Sequence, residues 1–372
     1  MKTIGILTMH RVVNYGSALQ AWATQEIVTR LGYDAKLIDY VYPNEYHKSF
    51  APPISCKLRI ARMVMDILYN KPMKRKKEAF ANFRNRHFNC TKMFDTAEVL
   101  WNSCPRFDIY LAGSDQIWNP DSFHDDYSFF LDFAPKNSTK ISYASSFSKS
   151  KLSHSNAKKI ASLLENFRSI SVREKNAQRI VKKIIGRDVP ICLDPSLMLE
   201  KKDYEPLIKE SSITVDGEYI LVYVLNYAFN PYPFATQFIE KLSRDTGLPV
   251  VCIDFSARER LHVVHCTHLH DAIGPSEFLW LFAHASFIVT TSFHGTAFAL
   301  NFGKEFYSIV NNEKTGDDRM VSLLNQCGAD GHIVVKDSNL SNIYNGVNKE
   351  NVRRNLQKLR QQSIAYLKQS IQ

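Results

Sequence analysis

The opening of the chain constrains the fold more than any later segment. Residues 3–8, TIGILT, are a short apolar run of strand length, and residues 34–40, DAKLIDY, are another. Between them, NYGSALQAWATQEIVTRLG carries an unusually complete set of helix signals. Ser17 reads as the N-cap with Gln20 at the capping-box position. Ala18, Leu19, Trp22, Ala23, Ile27 and Leu31 recur at helical spacing, and Gly32 ends the run. A strand, a crossover helix and a second strand predict a parallel sheet covered by helices.

The same alternation continues downstream. Residues 57–90 predict one or two helices, with Ile60, Val64, Ile67 and Leu68 on one face and a break near Pro72. Strand-like runs return at 107–113, 140–147 and 169–174, and the short PICL (190–193) leads into LDPSLML. KKDYEPLIKESSITVDGE is polar and turn-rich, and reads as a passage between domains. A second series follows: strands at 219–226, 248–255, 286–291 and 304–310, with helices near 233–246 and 276–285. The last segment is amphipathic, with Val352, Leu356, Leu359 and Leu367 in one stripe. A chain of 372 residues exceeds what one core usually supports. The expected architecture is therefore α/β, two facing Rossmann-like domains: residues 1–200, residues 201–345, and a C-terminal helix over 346–372.

Composition narrows the setting. The seven cysteines are scattered and form no CxxC pair, which suits reduced thiols in a cytosolic chain. MKTIGILTM lacks the long apolar core of a secretory signal, and no window has the apolar length of a bilayer span. The net charge of +10 suits phosphorylated metabolites or an anionic membrane surface, and equally nucleic acid. No nucleic-acid reader element is recognisable, so that partner is not expected. The run KRKK (74–77), with Arg84, Arg86 and the nearby Phe80, Phe83 and Phe88, is compatible with peripheral membrane contact; the simpler reading is the wet face of a helix.

In open parallel sheets ligands bind beyond the carboxyl ends of the strands. His294, in TTSFHGTAFAL, follows an apolar strand and opens a helix, so it is expected in the cleft between the domains. MHRVVNYGSALQAWA, LAGSDQIWNP, SYASSF, ISVREKNA, LDPSLML and TTSFHGTAFAL occur in this order. Together they resemble the polysaccharide pyruvyl transferase family, from residue 3 to about residue 310. The resemblance implies a fold similar to the GT-B glycosyltransferases. It also implies transfer of the enolpyruvyl group of phosphoenolpyruvate onto two hydroxyls of a glycan or lipid-linked sugar, in capsule or exopolysaccharide synthesis. It assigns His294 and the donor-contacting Arg173. Where many members have Arg-Leu-His, this chain has Ser292-Phe293-His294.

That chemistry sets the remaining expectations. The donor brings a carboxylate and a phosphate, which call for an arginine fork and for N–H groups at a helix start. Arg173, Ser292, Gly295, Asn14, Gly16 and Ser17 are the donor-binding candidates. His294 and Asp115 are the catalytic candidates, since protons must move to the methylene carbon and away from the sugar hydroxyls. Gln116, Trp118 and Asn119 are candidates for the acceptor, with the indole stacking on a sugar face, and Ser145 and Ser146 are weaker ones. His262, His265, Cys266, His268, His270 and Asp271 cluster in sequence, but their spacing matches no standard framework, so no metal is expected and no cofactor is required. The alternatives are a glycosyltransferase using a nucleotide-sugar and a non-catalytic glycan-binding protein.

Overall fold

The computed structural model describes residues 1–42, 74–122, 126–226, 228–253, 266–269, 273–311, 318–340 and 346–372. The expected helix face of Ile60, Val64, Ile67 and Leu68, and the break at Pro72, lie outside the described residues. The first half contains β1 (Thr3–Leu7), α1 (Tyr15–Arg30), β2 (Asp34–Leu37), α2 (74–87), α3 (Ala97–Ser103), β3 (Ile109–Ala112) and β4 (Thr139–Ser142). It continues with α4 (His154–Leu164), α5 (Lys175–Ile185), α6 (Pro195–Met198) and α7 (Lys201–Lys209). The second half contains β5 (Ile220–Tyr223), α8 (Phe234–Thr246), β6 (Val250–Ile253), β7 (Cys266–Leu269), α9 (Pro275–His284) and β8 (Phe287–Thr290). It ends with α10 (Phe293–Asn301), β9 (Glu305–Val310), α11 (Asp318–Cys327), β10 (Ile333–Val335) and α12 (Lys349–Ile371).

Two parallel sheets result, in the orders β2-β1-β3-β4 and β10-β9-β8-β5-β6-β7. The first extends past β4 by single parallel bridges, Ile141 to Ser169, Ser145 to Val172 and Val172 to Ile191. Residues 169–174 and 190–193 thus lie in sheet register without forming full strands. The serines explain this, because Ser142, Ser171 and Ser145 spend side-chain hydrogen bonds on neighbouring backbone. The central strands β3 and β5 are buried at every position, as both faces of a parallel sheet require.

Two expectations are corrected. α1 begins two residues before Ser17: Asn14, in extended backbone, accepts the Ser17 amide through its side chain at 3.1 Å. Tyr15 is drawn into the helix by packing, stacked on Phe278 at 4.7 Å and against Phe80 and Tyr223. Gln20 serves no capping box; it donates to Thr8 Oγ1 at 2.8 Å. The supposed polar passage is half helix, since α7 occupies Lys201–Lys209. Asp203 accepts the Glu200 amide and starts it, and Tyr204, Leu207 and Ile208 face the core at helical spacing despite Pro206.

The halves are joined by shared packing. α1 is buried almost all round because it touches α6, α9 and α10 as well as its own sheet. α12 crosses back to the first half: Ser363 accepts the Leu193 amide, Tyr366 donates to Ser142 O, and Tyr33 donates to Ile371 O. On α2, Lys74, Arg75 and Lys77 are exposed while Phe80 and Phe83 join the main core. Those two aromatic rings are therefore not a membrane-facing surface. Among the described residues no helix is long and apolar enough to cross a membrane.

Candidate active site

β8 ends at Thr290, whose hydroxyl donates to Tyr223 O at 2.7 Å and accepts the Ser292 amide at 3.0 Å. That turn sets Ser292 as the N-cap of α10, accepting from the Gly295 amide. Gly295 is required by packing, because a Cβ there would lie 2.3 Å from Thr290 Oγ1. His294, the second residue of α10, consequently leaves its own half and rests on the bare backbone of α1. A Cβ on Gly16 would sit 2.0 Å from His294 Nδ1. Gly16→Ala should therefore displace the ring, destabilising the fold by about 1–3 kcal/mol as overpacking does. Turnover is expected to fall further than stability does, measured by urea unfolding beside initial rates; unchanged rates would show that the ring position is immaterial.

Arg173 follows the bridge residue Val172, at the carboxyl end of the first sheet. It is 5% exposed and its Nη1 donates to Asp194 Oδ2 at 2.6 Å. Asp194 is the N-cap of α6, accepting at Oδ1 from the amide and hydroxyl of Ser196 and at Oδ2 from Ser114. His294 Nε2 stands 3.6 Å from the same Oδ2, within charge attraction but beyond a hydrogen bond. Arg173 Nη2 lies 3.5 Å from Asp115 Oδ1, and the guanidinium carbon is 4.3 Å from the Phe293 ring centre. Arginine from the first half and histidine and phenylalanine from the second thus meet around Asp194. Arg173 Nε and Nη2 and His294 Nε2 are buried without a hydrogen-bond partner among the described residues.

The carboxylates of this cluster are held ionised. Burial alone would raise the Asp194 pKa, but His294 and Arg173 outweigh it and hold the group well below the usual range. Asp115 is also lowered: burial opposes the shift, while His294, Arg173 and the 2.6 Å hydrogen bond from Ser17 Oγ drive it. A folded-state pKa below the ordinary 3.8 means that the group stabilises the fold above that pH and ceases to do so as acid protonates it. Stability should therefore fall below about pH 4, each such carboxylate adding a slope of about 1.4 kcal/mol per pH unit. Asp194→Asn should remove its share of that slope, read by urea unfolding at pH 5 and pH 3. An unaltered slope would contradict the assignment.

The other candidates distribute unevenly around this cluster. Both oxygens of Asp115 are engaged, by Ser17 Oγ and by the Gln116 amide at 2.8 Å. Ser17 Oγ donates to Asp115 Oδ2, Asn14 Oδ1 accepts the Ser17 amide, and Ser292 Oγ accepts the Gly295 amide. Gln116 is half-buried beside the cluster. Trp118 is fully buried, stacked on Phe130 at 5.4 Å and donating to Phe129 O. No face of the indole is open to a sugar, and the expectation of stacking there is corrected to packing. Asn119 is buried as well and turns its Oδ1 to the Asp121 amide. Ser145 and Ser146 are buried, donating to Ala112 O and to Glu174 Oε1.

Asp194, Ser114 and Phe293 were missed from sequence. The signal for Asp194 was available: an aspartate directly before Pro-Ser, after a short apolar run, is a helix N-cap at a strand end. Of the histidine cluster, His262, His265, His270 and Asp271 lie outside the described residues, whereas Cys266 and His268 belong to β7.

None of the curated proteins matches the chain. Among solved structures it is similar to a putative UDP-N-acetylglucosamine 2-epimerase from Listeria monocytogenes, at 11% identity and a TM-score of 0.52, covering 100% of this chain and 91% of that one. It is also similar to the S. aureus MnaA–UDP co-structure, at 13% identity and a TM-score of 0.51, covering 96% and 88%. At such identities the likeness concerns the fold, which is that of two parallel-sheet domains of GT-B type. The sequence pattern of one family, described as Polysaccharide pyruvyl transferase, matches residues 14–313. That stretch includes Gly16, Asp115, Arg173, Asp194 and His294, so the residues gathered from both halves fall inside one matched pattern, and the chain belongs to the polysaccharide pyruvyl transferase family.

Proposed function

We propose that the chain transfers the enolpyruvyl group of phosphoenolpyruvate to a sugar, forming a pyruvate ketal and releasing phosphate. The observation that carries this reading is that Arg173 Nε, Arg173 Nη2 and His294 Nε2, side chains gathered from both halves around Asp194, are buried without a hydrogen bond among the described residues. Buried donors without partners are destabilising, and an anion that accepts from them relieves the deficit. A guanidinium edge with two parallel N–H groups matches a carboxylate or a phosphate.

In this reaction His294 delivers a proton to the methylene carbon, making the adjacent carbon electrophilic. A sugar hydroxyl adds there, phosphate departs, and a second hydroxyl closes the ketal. The two hydroxyl protons balance the change, one ending in the new methyl group and the other on phosphate. Asp194 positions both side chains by lying between them. Asp115, with its oxygens engaged, holds Ser17 and the Arg173 fork in place rather than moving protons. The cavity bounded by Arg173, Asp194, Phe293, Leu323, Gln326 and Leu359 holds about 10 Å³, room for a single water at most. A site this closed has to open locally to admit the donor, and its closing excludes water from the activated enol ether.

Calorimetry with phosphoenolpyruvate and with a panel of nucleotide-sugars tests the donor. Binding of phosphoenolpyruvate is expected, with no heat from the nucleotide-sugars. Saturable binding of a nucleotide-sugar with none of phosphoenolpyruvate would replace this reading with that of a glycosyltransferase.

A further inference from the structure

β6 and β7 pair in parallel with Cys252 opposite His268 and Val250 opposite Cys266. Residues two apart on a strand share a face, so Cys266 and His268 point the same way, and Cys252 meets them from the adjacent strand. Cys266 Sγ lies 2.9 Å from His268 Nε2, and the three donor atoms all lie within 4.8 Å of one another. Cys252 is buried while Cys266 and His268 are half-buried on β7, the edge strand of the second sheet. Sequence spacing hid this set because Cys252 stands fourteen positions before Cys266 and only the sheet register brings it in.

From this juxtaposition we infer that Cys252, Cys266 and His268 form a zinc-binding site at the edge of the second sheet, separate from the Arg173–His294 cluster. Zinc–sulfur and zinc–nitrogen bonds of about 2.0–2.3 Å place tetrahedral ligand atoms roughly 3.3–3.8 Å apart. The observed spread reaches that arrangement by side-chain rotation, without moving the strands. Two sulfurs and one imidazole suit a thiophilic ion and not magnesium or calcium. Binding replaces the two thiol protons by the metal and releases them to solvent, leaving the fourth position to water at the exposed edge. The bound ion would tie β7 to β6 and blunt an edge strand that otherwise offers its backbone to other chains. A second grouping, His10, Asp39 and Cys90, lacks this character, because Arg11 already grips both oxygens of Asp39 at 2.5 and 2.6 Å.

The test uses the full chain, reduced, stripped with a chelator and titrated with zinc alone. One zinc per chain is expected by elemental analysis. Affinity should drop by about two orders of magnitude or more in Cys266→Ser and in His268→Gln, since even outer partners of metal ligands are worth 10–100-fold. Zinc should raise the thermal midpoint of the wild type and of neither variant. Cobalt(II) in place of zinc should give sulfur-to-cobalt absorption that weakens in Cys266→Ser and persists in His268→Gln at saturating metal. Both positions are half-buried, so the variants spare the core that Cys252 occupies. The inference is overturned if no stoichiometric zinc binds, or if both variants bind it as the wild type does. It is equally overturned if Cys252 and Cys266 are recovered as a disulfide that takes up no zinc after reduction.

Discussion

Arg173→Ala is expected to weaken donor binding on the order of a thousandfold. Truncating one partner of a buried, hydrogen-bonded charge pair typically costs about 2–5 kcal/mol of affinity. Here the loss removes Nε and Nη2, the two guanidinium nitrogens without a hydrogen bond among the described residues, together with the fork geometry. The same substitution frees Asp194 from its 2.6 Å contact and strips the cation from Phe293, so stability should fall by about 3–5 kcal/mol as well. Arg173→Lys separates the two consequences. Lysine keeps a charge near Asp194 but cannot present parallel N–H groups. It should fold better than the alanine variant and still bind the donor poorly by calorimetry. A folded Arg173→Lys chain with wild-type affinity would remove this residue from the donor site.

His294→Gln should act on the other side of the reaction. Removal of a general acid typically lowers turnover by about 10²–10⁴-fold. The donor's anionic groups are held by Arg173, so its dissociation constant should change by less than tenfold, roughly 1.4 kcal/mol. Glutamine fills most of the space above Gly16 and keeps a polar group near Asp194, which protects the packing. The distinguishing result is therefore a steep fall in kcat with KM and donor affinity nearly preserved. Parallel losses of affinity and turnover would make His294 a binding residue, and parallel losses of stability and turnover would make it a packing residue.

The contrast between these two residues reflects what sequence can carry. His294 and Arg173 stood out because one follows an apolar strand and the other closes a strand-like run in an α/β alternation, where the carboxyl end of the sheet gathers ligands. β1, α1 and β2 were legible from apolar period alone, while the N-cap, Asn14 in place of the expected Ser17, was not. Asp194 was not chosen because the chemistry of a pyruvyl donor points to cations, and an anion between them has meaning only once Arg173 and His294 are seen to converge. Trp118 illustrates the opposite error. An aromatic residue in a polar-looking loop suggests sugar stacking, yet Phe130, Phe147 and Phe167 from later in the chain enclose it. Such burial depends on contacts that no local pattern encodes. The α7 helix was hidden by its charge and by Pro206, while its inward stripe of Tyr204, Leu207 and Ile208 is visible only at period 3.6.

The central claim is that one small anionic donor bridges the two halves of the chain. A crystal structure of the protein with phosphoenolpyruvate bound tests it most directly. The claim predicts an anionic group of the donor on the Nε and Nη2 edge of Arg173, with the methylene carbon facing His294 Nε2. A donor bound away from both side chains, or held by one half alone, would contradict it.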